Sequence, residues 1–324
     1  MTELHKTWLF QNPNEIPVSF WLCNPTWKRF GDDLEKLVLE HPRFFPEYKK
    51  GEYKDYKNDW WAYQPGKHLD HWGCEWNNII EGHDSICINH PVKTLEDALN
   101  ISIPEQNIGL EHGLIFLRYT YLRGYEEAMI DLYEKNKIYQ VLMEKVFLYA
   151  KKQTENAVKN ADEKGNLFVS FADDLGMQTS LPTGPDVWRE TIGVWYEKLF
   201  SLCKDRNKMI FMHTDGCIYE IIPDLRRYGL DVINAQFRAN GLEKLKEVTR
   251  GERYNKIALH LDLDRQLFPV ATPDEIERHI WDCVNTLAMP EGGLSVYAEI
   301  SEDIPLANIQ RIIEVFEKVI DYYK

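Results

Sequence analysis

The sequence predicts an α/β fold, an eight-stranded (β/α)8 barrel carrying an N-terminal extension. Three observations predict it. From about residue 110, short apolar runs alternate with amphipathic helical windows, the rhythm of parallel βα units. With two further runs from the N-terminal part, the strand-like segments number about eight, the count a closed barrel requires. The 324 residues are an ordinary length for such a barrel with an extension.

In chain order, residues 1–80 form an irregular, aromatic-rich part. Ile16–Leu22 reads as a strand and Asp32–Glu40 as an amphipathic helix. The polar and aromatic stretch Pro46–Trp76 follows. Trp8, Trp21, Trp27, Trp60, Trp61, Trp72 and Trp76 crowd this first quarter; such rings pack a core or line a pocket or partner surface. Ser85–Asn89 reads as a second strand, and Thr94 with Asp97 opens a helix through a capping-box-like pattern. The later strands are Gly113–Arg118, Leu167–Phe171, Met209–Met212, Asp231–Ile233, Lys256–Leu261 and Leu294–Tyr297. Helical windows lie at 123–160, 185–206, 218–228, 241–249, 273–288 and 305–323. Pro185, Pro223, Pro273 and Pro305 stand at or near helix starts, where a missing N–H costs little. No G-x-G-x-x-G follows a strand and no G-x-x-x-x-G-K-[ST] occurs, which disfavours a nucleotide-binding doubly wound sheet. No repeat of fixed period points to a solenoid. Residues 1–324 read as one domain.

The formal net charge of −14 argues against nucleic acid and anionic membranes as main partners. No apolar run approaches the length of a membrane span, and Met1–Phe10 lacks the apolar region of a signal peptide. Six cysteines form no C-x-x-C pair and read as free thiols of a cytoplasmic protein. The oligomeric state is not legible.

Chemistry in such a barrel gathers where strands hand over to the following loops. Five consecutive strands end in polar or ionisable residues: Asp173, Asp174 and Gln178; His213 and Asp215; Asn234 and Gln236; Asp262 and Asp264; and Glu299. Singly, each has a plainer role, since a strand-end Asp also serves as an N-cap or Asx-turn residue. Together, converging carboxylates call for a cation, a proton or a basic substrate among them. In His213-Thr214-Asp215-Gly216-Cys217, His and Asp stand two apart at an extended strand end and point to one side. With Glu299 they would form a His/Asp/Glu site open to substrate, suited to zinc as a Lewis acid. Cys217 is the rival ligand, or a buried residue of a helix start. Asp173, Asp174 and His213 are the candidate catalytic residues, and Trp72, Gln178, Asn234, Gln236, Asp262 and Asp264 the candidate substrate contacts.

Several segments resemble one known family. They are Phe171-Ala172-Asp173-Asp174-Leu175-Gly176-Met177-Gln178, Pro185-Asp186-Val187-Trp188-Arg189-Glu190, His213-Thr214-Asp215-Gly216 and Ile221-Ile222-Pro223-Asp224-Leu225. Gly229–Asn234, Leu261–Gln266 and Thr272–Ile276 extend the series, and Asp70-His71-Trp72-Gly73-Cys74-Glu75-Trp76 resembles a "DEWGCVW" segment of some members. In this order they are similar to the uroporphyrinogen decarboxylase superfamily. The resemblance implies a distorted TIM barrel. It implies one of two activities: metal-free decarboxylation, or zinc-dependent methyl transfer between a corrinoid protein and a thiol. The arginine-rich "RQAGRY" segment of the true decarboxylases is absent; Arg29 and Arg43 stand alone. The methyltransferases bind zinc through His-x-Cys and a distant Cys; here Asp215 takes the place of the first Cys, and no Cys lies near Glu299. The expectation is a metal-dependent methyltransferase-like enzyme, served by a methylcobamide on a corrinoid partner and acting on a small substrate. A decarboxylase acting on a small carboxylated substrate and a non-catalytic ligand-binding barrel are the alternatives.

Overall fold

The computed structural model describes residues 2–56, 61–251 and 256–324, so Trp60 lies outside the described residues. The described strands are β1 (Val18–Leu22), β2 (Gly66–Leu69), β3 (Glu75–Asn78), β4 (Ile86–Asn89), β5 (Phe168–Ala172), β6 (Met209–Thr214), β7 (Val232–Gln236), β8 (Ala258–Asp262) and β9 (Leu294–Ile300). The chain divides into two compact units. One comprises Met1–Trp60, Gln236–Arg250 and Ala258–Lys324, the other Trp61–Ala235 and Gly251–Ile257.

In the second unit β5, β6 and β7 run parallel, in register from Phe168↔Met209 to Ala172↔His213 and from Phe211↔Val232 to Thr214↔Ala235. Helical segments between Pro185 and Lys204, and then Ile222–Tyr228, make the crossovers. Alternation along β6 buries Ile210, Met212 and Thr214 and leaves Met209, Phe211 and His213 on the other face. That parity puts His213 beside Ala172 and Asn234 in the ladder. The long helix Lys137–Glu163 starts at Asn136, whose side chain caps the Tyr139 N–H. It buries Leu142, Met143, Val146, Tyr149 and Ala150 along one stripe.

Two segments depart from the expected strands. Gly113–Arg118 is not a strand; helix Phe116–Arg123 takes its second half. An Ile-Phe-Leu run satisfies either period, and the residues beyond it decide: Phe116, Tyr119, Thr120, Leu122 and Arg123 are buried at helical spacing. Ser85–Asn89 does form a strand, but in a separate antiparallel sheet of order β2-β3-β4. The chain between β3 and β4 is too short for the crossover that a parallel partner needs. Among the described residues the parallel strands are therefore six, three in each unit, where the sequence predicts eight.

In the first unit β1, β9 and β8 run parallel, in register from Val18↔Val296 to Leu22↔Ile300 and from Leu259↔Leu294 to Asp262↔Tyr297. Phe20 packs against Phe316 of helix Leu306–Ile320 with ring centroids 4.7 Å apart. Helix Pro273–Leu287 begins as its sequence predicts, with Thr272 and Glu275 in a reciprocal capping box and Pro273 in the first turn. The helix Asp32–Glu40 also matches its expected span. No helix among the described residues is long and apolar enough to cross a membrane.

Candidate metal centre

The loops that leave β5 and β6 carry the densest polar cluster of the second unit. Asp174 Oδ1 lies 3.0 Å from His112 Nε2 and 3.9 Å from His213 Nε2. It also accepts the Asp215 N–H at 3.1 Å. Asp215 Oδ1 lies 3.5 Å from His213 Nε2. On the far side of its ring, His213 Nδ1 lies 2.7 Å from Asn234 Oδ1. With Asn234 accepting, Nδ1 carries the hydrogen and the Nε2 lone pair faces Asp174 and Asp215. His112, Asp174 and His213 each offer one ligand atom, and these atoms lie within 4.8 Å of one another. Burial disfavours a charged His112, yet the hydrogen bond and charge of Asp174, with Asp173 and Asp215 beyond, push its imidazole up to about 9. For Asp174 burial is again opposed, and the two imidazoles and the Asp215 N–H hold it below the usual carboxylate range.

The geometry rests on two backbone devices. Gly113 N–H donates to Ala172 O at 2.8 Å, which ties His112 to the end of β5. Gly176 and Gly216 then bring the two loops into backbone contact. A Cβ on Gly216 would stand 2.2 Å from the Gly176 carbonyl carbon, and one on Gly176 would stand 2.4 Å from Cys217 N. Gly216 also holds φ +86°, which only glycine adopts freely. Gly176 N–H donates to Asp215 O, and Cys217 N–H to Met177 O at 2.7 Å.

Asp173 sits beside this cluster and faces elsewhere. Its carboxylate accepts the N–H groups of Ile115 (3.0 Å), Phe116 (2.7 Å) and Leu117 (2.9 Å), together with the Tyr196 hydroxyl. These are the orphan donors at the start of helix Phe116–Arg123, which has no side-chain cap of its own. Asp173 is fully buried, and burial raises its pKa despite these four donors. Its carboxylate caps the start of a helix that is distant in sequence.

The other expected residues are each placed within their own unit. Cys217 is buried. Gln178 is exposed in the loop after β5. Glu299, in the first unit, pairs with Arg265 at 2.8 Å, so a guanidinium already balances its charge. Asp264 takes the turn role: it accepts from Gln266 N and Leu267 N at 3.2 Å and pairs with Arg238 at 2.8 Å. Asp262 is buried at the end of β8, and Gln236 ends β7 half-buried. Trp72 is buried, 4 % exposed and edge-on to Tyr149. Asp70 holds it there by accepting the N–H groups of Trp72 and Cys74 at 2.9 Å and Trp76 Nε1 at 3.2 Å.

Asp70 also binds Arg118 at 2.7 Å with both side chains almost fully buried. Burial raises the Asp70 pKa, but Arg118 and the N–H donors outweigh it, and the net shift is downward. A depressed folded pKa means stability present above the unfolded value of about 4 and lost as pH falls through the folded value. Asp70→Asn is expected to cost about 3–5 kcal/mol at neutral pH and to flatten the acid limb of a denaturation-versus-pH profile. An unchanged acid limb would remove this pair from the account.

A family model described as uroporphyrinogen decarboxylase (URO-D) matches residues 115–319. The chain belongs to the URO-D family. Among solved structures this URO-D chain is similar to a methyltransferase from Methanosarcina mazei, with TM-score 0.63, 14% identity and 98% of each chain covered. No curated protein sequence matches it. Within the URO-D chain the two N-terminal arginines are both engaged: Arg29 donates to Glu302 O, and Arg43 pairs with Asp321 at 3.1 Å.

The reading of the sequence missed His112. As the residue before an expected strand, it belonged at the wrong end of a barrel. Reading Gly113–Arg118 as a helix start would have placed it at the strand ends.

Proposed function

We propose that this URO-D chain is a metal-dependent methyltransferase, working with a corrinoid protein that presents a methylcobamide to a small acceptor. The observation that carries the reading is the set of His112, Asp174 and His213, whose donor atoms lie within 4.8 Å of one another. Two imidazole nitrogens and one carboxylate oxygen suit zinc or a similar borderline divalent ion. Zinc held there would supply Lewis acidity toward a small acceptor, harder in character than a thiolate-ligated ion.

The chain's own residues prepare the site. Asn234 fixes the His213 tautomer and ring plane. Asp174 gathers both imidazoles, and Asp215 adds a second carboxylate beside His213. The similarity to a methyltransferase from Methanosarcina mazei supports the reading. So does the absence of an arginine-rich N-terminal segment, where Arg29 and Arg43 stand alone, each with a partner in the fold.

The test is demethylation of methylcobalamin by the purified chain, with metal content measured on the same sample. Zinc-dependent loss of the methyl group is expected, falling about 100-fold in His213→Ala. Carbon dioxide release that persists under chelation would favour the decarboxylase instead. Ligand binding without turnover of either kind would leave a binding barrel.

A further inference from the structure

The antiparallel sheet holds a second cluster that the proposed methyl-transfer site does not use. Cys74 precedes β3, and Cys87 lies in β4 opposite Trp76. The ladder shifts register between Glu75 and Trp76, and Cys74, Trp76 and Cys87 all meet Tyr121. The Tyr121 ring meets Trp76 with centroids 4.6 Å apart. Both sulfur atoms lie within hydrogen-bonding reach of one acceptor, the Tyr121 carbonyl, at 3.3 Å for Cys74 and 3.7 Å for Cys87. His90 Nδ1 lies 2.8 Å from the same oxygen and 3.6 Å from Cys87 Sγ. Cys87 is partly exposed, and Cys74 is buried.

We propose that Cys74 and Cys87 form a redox modification site that reacts with hydrogen peroxide and closes to an intramolecular disulfide. The accessible Cys87, as thiolate, attacks one peroxide oxygen. The S–O bond forms, the O–O bond breaks, and the departing hydroxide takes up a proton as water. Cys74 sulfur then attacks the Cys87 sulfenic acid. The S–S bond forms, the S–O bond breaks, and the second hydroxide leaves with the Cys74 proton as water. Two thiols lose two electrons and two protons, and the peroxide is reduced to two waters.

The surroundings fix the order of events. The hydrogen bond from Cys74 holds the Cys87 thiol below its usual range. Cys74 is raised by its bond to Cys87 and by burial, which suits a resolving thiol. Burial also pushes Cys23 and Cys203 up to about 12 and raises Cys283, and Cys217 is buried. Cys87 therefore combines access with thiolate character.

The experiment treats the full chain with one equivalent of hydrogen peroxide, alkylates remaining thiols in denaturant and maps them by mass spectrometry. Six alkylatable thiols should fall to about four, with one reducible cross-link between the Cys74 and Cys87 peptides. Cys74→Ser should instead leave a dimedone-reactive sulfenic acid on Cys87. Cys74 and Cys87 staying alkylatable in the wild-type chain, or a first loss at Cys23, Cys203, Cys217 or Cys283, would overturn the proposal. The wild-type map requires no variant to fold, no metal and no methyl donor.

Discussion

Asp173→Ala is expected to lose about 3–5 kcal/mol of stability, because it removes a buried anion and leaves its donors unsatisfied. The N–H groups of Ile115, Phe116 and Leu117 and the Tyr196 hydroxyl all converge on this one carboxylate. Helix Phe116–Arg123 has no local cap to take over, so its first turn would fray. His112 precedes that turn by a few residues and would lose its anchor. A fall in melting temperature of roughly 4–7 °C is the expected reading for a chain of this size. Tyr196→Phe deletes one donor and should cost about 1 kcal/mol. Stability within about 1 kcal/mol of wild type for Asp173→Ala would show that the carboxylate does not hold the helix start.

Gly216→Ala should be as damaging, by a different route. The new methyl group would stand 2.2 Å from the Gly176 carbonyl carbon and 2.3 Å from its oxygen. No rotamer relieves a clash between Cβ and backbone. The residue would also keep a φ near +86° that alanine disfavours. Backbone strain and overpacking together should cost about 3 kcal/mol or more. Because the contact joins the loops bearing Asp174 and Asp215, metal affinity should fall with stability. Urea unfolding and zinc titration on the same variant check both. A variant with normal stability and normal zinc affinity would mean that the loops are not locked through these glycines.

Much of this arrangement was legible in the sequence, for identifiable reasons. The parallel strands β5 to β9 announce themselves through short apolar runs followed by helices, and their ends carry the polar residues expected there. The helix starts at Thr94 and Pro273 were readable because a capping box and a first-turn proline are local devices. What escaped depends on contacts distant in sequence. Helix Phe116–Arg123 owes its start to Asp173, more than fifty residues away, so no local pattern distinguishes it from a strand. Its misreading pushed His112 to the wrong end and left the cluster one imidazole short. Glu299 looked like a ligand because Arg265, its partner, lies on a different strand-end loop. Trp72 looked like a surface aromatic because nothing near it reveals that Asp70 and Arg118 fold its segment inward.

The central claim is that His112, Asp174 and His213 hold a divalent ion. The most direct measurement is zinc per chain after saturation and gel filtration, for wild type, His112→Ala and Glu299→Ala. About one zinc per wild-type chain is expected, with affinity at least 10-fold weaker in His112→Ala and unchanged in Glu299→Ala. Loss of zinc in Glu299→Ala with retention in His112→Ala, or less than about 0.1 zinc per wild-type chain, would contradict it.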